Sequence, residues 1–165
     1  MNFIDDFERT ENSDYLHGVI GRCLIVATRF DAMCTTLADA IKYKELFVNN
    51  DSDFENFVNK ISTKYSNLNN SIQGLPIDKN FKVILHEARE ARNEIAHSLT
   101  KGLIGCIDNV DNKLFFDKVS SLIYYIAKAD FIISKLTSIF NGEPILNQYF
   151  QENYCQKNVF WVVEK

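Results

Sequence analysis

Arg92-Asn93-Glu94-Ile95-Ala96-His97 brings together the residue types that phosphodiester chemistry uses. Histidine is the side chain whose unperturbed pKa allows proton transfer near neutral pH. Arginine grips a phosphate through a bidentate fork and stabilises charge that develops on its oxygens. Asparagine, one turn before the histidine, can hydrogen-bond the phosphate or orient the imidazole. RNA brings its own nucleophile, the 2′-hydroxyl, so neither a metal nor a protein nucleophile is required. The candidate catalytic residues are therefore Arg92, Asn93 and His97, with Arg89 and Lys101 placed to contact substrate phosphates. No cofactor is expected. His17, His86 and His97 lack metal-ligand spacing, and Cys23, Cys34, Cys106 and Cys155 form no CxxC pair.

The element that must position these residues is an amphipathic helix running up to Leu99. At roughly 100° per residue from Phe81, Leu85, Ala88, Ile95 and Leu99 fall within about 40° of one line, and Ile84 within about 60°. Arg92 falls about 20° from that line, inside the apolar stripe. Arg89, His86, Asn93 and His97 occupy a polar flank. A guanidinium at a core angle needs a partner, because burying it unpaired is costly. It either points into a polar cleft that holds an anion or pairs with an interior carboxylate such as Asp31, Asp39 or Asp130. In the second case His97 would cap the final carbonyls of the helix. Arg92 and His97 lie about 140° apart on an ideal helix, so one subunit does not aim both at one phosphate unless the helix bends or ends near Ala96.

The remaining elements read as helices too. Glycine and proline are scarce, at 6 and 2, and the apolar runs are long. A first helix starts near Asn12 or Ser13 and carries Leu16, Ile20, Cys23, Ala27, Phe30, Cys34, Leu37 and Ile41 at alternating spacings of four and three. Gly18 and Gly21 allow close packing there. A second helix begins at Ser52 with Glu55 as capping-box partner and runs through Ile72 to Gly74 and Pro76. Asp78 caps the third. Residues 103–116 look like a loop or short hairpin, Asp117 caps a fourth helix that ends at Asn141-Gly142, and Pro144 opens a fifth reaching about Asn153. The run at 158–164 is β-like and would pair with 103–116. The expected fold is all-α, an antiparallel bundle of four to five helices in one domain over residues 1–165, with those short β additions. The wide seams of the first and fourth helices would also suit burial of a second copy.

Composition narrows the class. With 46% hydrophobic and 24% charged residues the chain is globular. A net charge of −4 argues against a broad, sequence-independent nucleic-acid surface and leaves room for a local basic site. No apolar run reaches the ~18 residues of a membrane span, and acidic residues interrupt the N-terminus. The cysteines read as reduced core residues, and the expected location is cytoplasmic.

Arg92-Asn93-Glu94-Ile95-Ala96-His97, near the end of a bundle helix, resembles the signature of the HEPN superfamily: arginine, a polar residue, a few more positions, then histidine. The resemblance implies a metal-independent endoribonuclease, as in many bacterial toxins and anti-phage effectors. It also implies a homodimer in which two motifs face each other across one cleft. An antitoxin or sensor would then be a separate chain, and no membrane partner is expected. One HEPN branch has a tyrosine two residues after the histidine, where this chain has Leu99, so that branch's regulatory modification does not carry over. The alternative is a catalytically silent, HEPN-like helical interaction module.

Overall fold

The computed structural model describes residues 9–49, 67–101 and 110–165. Within them the chain is all-α. The helices are α1 (Glu11–Asn49), α2 (Leu68–Gly74), α3 (Lys79–His97), α4 (Asn112–Asn141) and α5 (Gln151–Val163), with a single 3₁₀ turn, Gln148–Phe150, before α5.

Local chemistry fixes the helix ends. At the head of α1 the Thr10 hydroxyl accepts from the Ser13 N–H and the Ser13 hydroxyl accepts from the Thr10 N–H. This reciprocal pair satisfies amide groups that have no partner inside the helix, so Ser13 serves inside the first turn and is not the cap. Asp78 caps α3 through the N–H groups of Asn80 and Phe81, as its position predicts. Asp111, not Asp117, caps α4 by accepting from Leu114 N–H. The helix therefore starts earlier than the spacing suggested. Gly142 ends it at φ 70°, a left-handed conformation that favours glycine.

The long seams form the core. Leu16, Cys23, Ala27, Phe30, Cys34 and Leu37 of α1 are buried, with Ile20 and Ile41 packed at the margin. They meet Leu85, Ala88, Ala91 and Ile95 of α3 and Val119, Ile123, Ile126, Ala129 and Ile133 of α4. α4 packs on α1, α3 and α5. That explains why Ala127, Phe131 and Ile132, off its heptad line, are buried as well. Cys23, Cys34 and Cys155 are buried and free, and Cys106 lies outside the described residues.

Several expectations need correction. The segment 158–164 is not a strand. Val159 and Val162 sit on the inner face of α5, while Phe160 and Trp161 face outward. The alternation that looked β-like is the two sides of a helix. Of the proposed hairpin, 103–109 lies outside the described residues, and 112–116 is the first turn of α4. The fifth helix does not start at Pro144; 143–147 is irregular and the helix begins at Gln151. A helix running without interruption from Ser52 to Ile72 is excluded at its end, because Asn67 is extended (φ −69°, ψ 158°) and caps a separate short helix. The rest of that stretch, 52–66, lies outside the described residues. Phe81, the reference for the buried stripe, is 44% exposed. It occupies the first turn of α3, before the helix reaches its neighbours. Gly18 and Gly21 mediate no close helix approach: a Cβ on Gly21 would meet nothing within 4 Å, and one on Gly18 only Arg22 of the same helix.

Candidate functional site

The polar side of α3 faces a cleft of about 320 Å³. Arg89, Arg92 and Asn93 line it from α3, Asp31 from α1, and Asn67, Leu68 and Asn69 from the start of α2. Among the described lining residues, two guanidinium groups against one carboxylate leave a net positive charge, opposite in sign to the chain as a whole.

Arg92 is held from two sides. Its Nη2 donates to Asp31 Oδ2 in a short charge-assisted hydrogen bond, and its Nη1 donates to Asn93 Oδ1 at 3.0 Å. The two charged side chains are 28% and 25% exposed, so this pair sits at the rim of the core with access to the cleft. The core angle of Arg92 is thereby resolved by pairing with the first of the three named carboxylates. Asp130, another of them, is committed elsewhere. It is buried, accepts from the Tyr154 hydroxyl, and forms an ion pair with Arg29 at 3.4 Å. A guanidinium has five N–H donors, so Arg92 keeps donors for a further acceptor after satisfying Asp31 and Asn93.

Arg89, one turn before Arg92 and Asn93, differs. Its Nε is buried and has no hydrogen-bond partner among the described residues. His86 Nδ1, another turn back, is likewise buried and unpartnered, while Nε2 pairs with Gln73 at 2.9 Å. Burial, followed by the positive charge of Arg89, pulls the His86 pKa below its ordinary value; Glu90 opposes the shift and Lys82 adds to it. Lys82 also donates to the Gln73 carbonyl at 2.8 Å, tying α3 to the end of α2.

His97 stands apart. α3 ends at His97, with Ser98 as its C-cap, so His97 occupies the last helical position. Its side chain is exposed and does not line the cleft. It caps nothing among the described residues: Ser98 is the C-cap, and the N–H groups of Ser98 and Leu99 both donate to the Glu94 carbonyl. Glu94 pairs with Lys118 of α4, which holds its carboxyl below the usual range. Lys101 lies exposed in the turn after the helix. The chain therefore collects Arg89, Arg92 and Asn93 in the cleft and leaves His97 and Lys101 outside it.

Sequence reasoning did not single out Asn67 or Asn69. Reading one continuous helix through them hid the cap at Asn67, although asparagine ahead of an apolar residue is a capping signal.

No family model matches the chain, and neither do the curated proteins or the solved structures.

Proposed function

We propose that this protein is a metal-independent endoribonuclease of HEPN type, acting as a homodimer. The observation that carries this reading is the cleft: a locally cationic wall built around Arg92, in a chain that is acidic overall. In the proposed reaction the 2′-oxygen forms a bond to the adjacent phosphorus as the bond from phosphorus to the 5′-oxygen breaks. The His97 of a second copy takes the proton from the 2′-hydroxyl and, once protonated, returns it to the leaving 5′-oxygen. The products are a 2′,3′-cyclic phosphate and a 5′-hydroxyl. Arg92, fixed by Asp31 and Asn93, presents its remaining N–H groups to the charge on the phosphoryl oxygens. A donor already oriented before the reaction contributes more than one that must reorganise. The 140° between Arg92 and His97 on one helix is met by a second copy, whose His97 completes the site in an antiparallel bundle dimer. The proposed setting is a bacterial toxin or anti-phage effector restrained by a separate antitoxin or sensor protein.

The test is incubation of wild type, Arg92→Ala and His97→Ala with total RNA in EDTA. Cleavage by wild type alone, leaving cyclic phosphate ends, is the expected result. Cleavage that survives both substitutions overturns it.

A specific observation favours a second reading, a helical interaction module without catalysis. The Asp31–Arg92 bond joins α1 to α3 and already gives Arg92 an anion. In that case wild type is inert on RNA, and Arg92→Ala lowers the melting temperature without any change in activity.

A further inference from the structure

Arg92 and Arg89 share a cleft but not a condition. Arg92 has a carboxylate and an amide oxygen in place. Among the described residues Arg89 has neither, and its Nε is a buried donor with no acceptor among them. A buried N–H without an acceptor is costly, and Arg89 is one of the residues that line the cleft. The other polar groups there suit a nucleotide. Asn69 of α2 and Asn93 of α3 line it too; the Asn93 amide oxygen accepts from Arg92, and a carboxamide N–H can donate to a base edge. Asp31 is already neutralised by Arg92, so it does not cancel the charge of Arg89.

We infer that Arg89, and not Arg92, is the residue that captures the phosphate of a single-stranded RNA in this cleft. Arg92 is the pre-oriented group that acts on the phosphoryl oxygens once the strand is seated. The choice of RNA rests on the nuclease reading above; the assignment of an anion to Arg89 does not. The two arginines then divide the work. Loss of Arg89 removes ground-state binding and raises KM, whereas loss of Arg92 lowers kcat.

The experiment measures affinity without cleavage. A fluorescent 2′-O-methyl oligoribonucleotide has no free 2′-hydroxyl and so remains intact. Its anisotropy is titrated with wild type, Arg89→Ala, Arg89→Gln, Arg92→Ala and His97→Ala, each checked for folding by circular dichroism. Arg89→Ala and Arg89→Gln are expected to weaken binding about tenfold or more, and to lower the slope of log affinity against log salt by about one. Arg92→Ala leaves the Asp31 carboxylate of the cleft without its partner and is expected to weaken binding too, whereas His97→Ala, outside the cleft, is expected to stay within about threefold of wild type. The glutamine variant keeps a long polar side chain in the cleft, so the comparison survives if the alanine variant does not fold. Wild type that fails to bind the oligomer overturns the inference. So does an Arg89→Gln affinity within about threefold of wild type, or an acidic peptide bound as tightly as the oligomer. Binding that depends on Arg89 in a protein that cleaves no RNA leaves this inference standing and removes the nuclease. Cleavage that depends on Arg92 and His97, with affinity indifferent to Arg89, does the reverse.

Discussion

Asp31 is the most informative single residue for separating the two functional readings. Its carboxylate orients Arg92 and at the same time occupies one edge of the guanidinium that a phosphate would use. Asp31→Asn keeps the shape and removes the charge. Under the nuclease reading it lowers kcat by about tenfold to a hundredfold, because a donor loses its fixed position. Under either reading it costs about 1–2 kcal/mol of stability, a figure set by a charged hydrogen bond at a partly exposed site. Single-turnover cleavage and chemical denaturation measure the two effects separately. His86 supplies a pH prediction. Its pKa in the folded chain is lowered from the ordinary 6.5. The unfolded chain therefore binds more protons in the window below 6.5, and stability rises with pH through that window and levels off above it. Melting temperatures between pH 5 and pH 8 check the sign, and His86→Gln flattens the rise.

At the scale of elements, the helix ends make sharp predictions. Gly142→Ala forces a Cβ into a left-handed backbone and costs about 1 kcal/mol, read from the urea midpoint. Asp78→Ala removes an acceptor from two amide groups of α3 and costs about the same. These two caps were legible in the sequence because each is a local signal. So were the seams of α1 and α4, where heptad spacing and burial agree at Cys23, Phe30, Cys34, Ile126 and Ile133. The errors came where local patterns are ambiguous. Val159-Phe160-Trp161-Val162-Val163 has the residue types of a strand, and only its packing on α1 and α4 decides for a helix. The partner of Arg92 was narrowed to three carboxylates by the need for charge pairing. Choosing Asp31 among them required the way α1 and α3 pack, which no spacing encodes.

Across the whole molecule, buried thiols and inter-helix ties describe how firmly the helices are joined. Burial pushes the thiol of Cys23 up to about 12 and that of Cys155 up to about 11, and raises that of Cys34 as well. With so little thiolate present, these three cysteines resist a thiol reagent in the native protein and react once it is unfolded in urea, which peptide mapping of the labelled sites checks. The C-terminal end of α5 is bound to α1. Arg22 donates to the carbonyls of Val162 and Glu164, and the Tyr15 hydroxyl to that of Val163. Further along, Arg29 and Tyr154 meet on the buried Asp130 of α4. Among the described residues no helix is long and apolar enough to cross a membrane.

The outward face of α5 also gives the protein an optical reporter. Trp161 is the sole tryptophan, and it is 45% exposed beside Phe160. Its emission in the lone subunit is that of an indole in contact with water. Dilution from high to low protein concentration then tells whether a second copy rests on this face. For the proposed homodimer, a blue-shifted band that moves to the red on dilution places the two-fold axis at α5. A band that keeps its wavelength, while light scattering shows the mass halving, places the axis away from it. The measurement needs no label and no substitution.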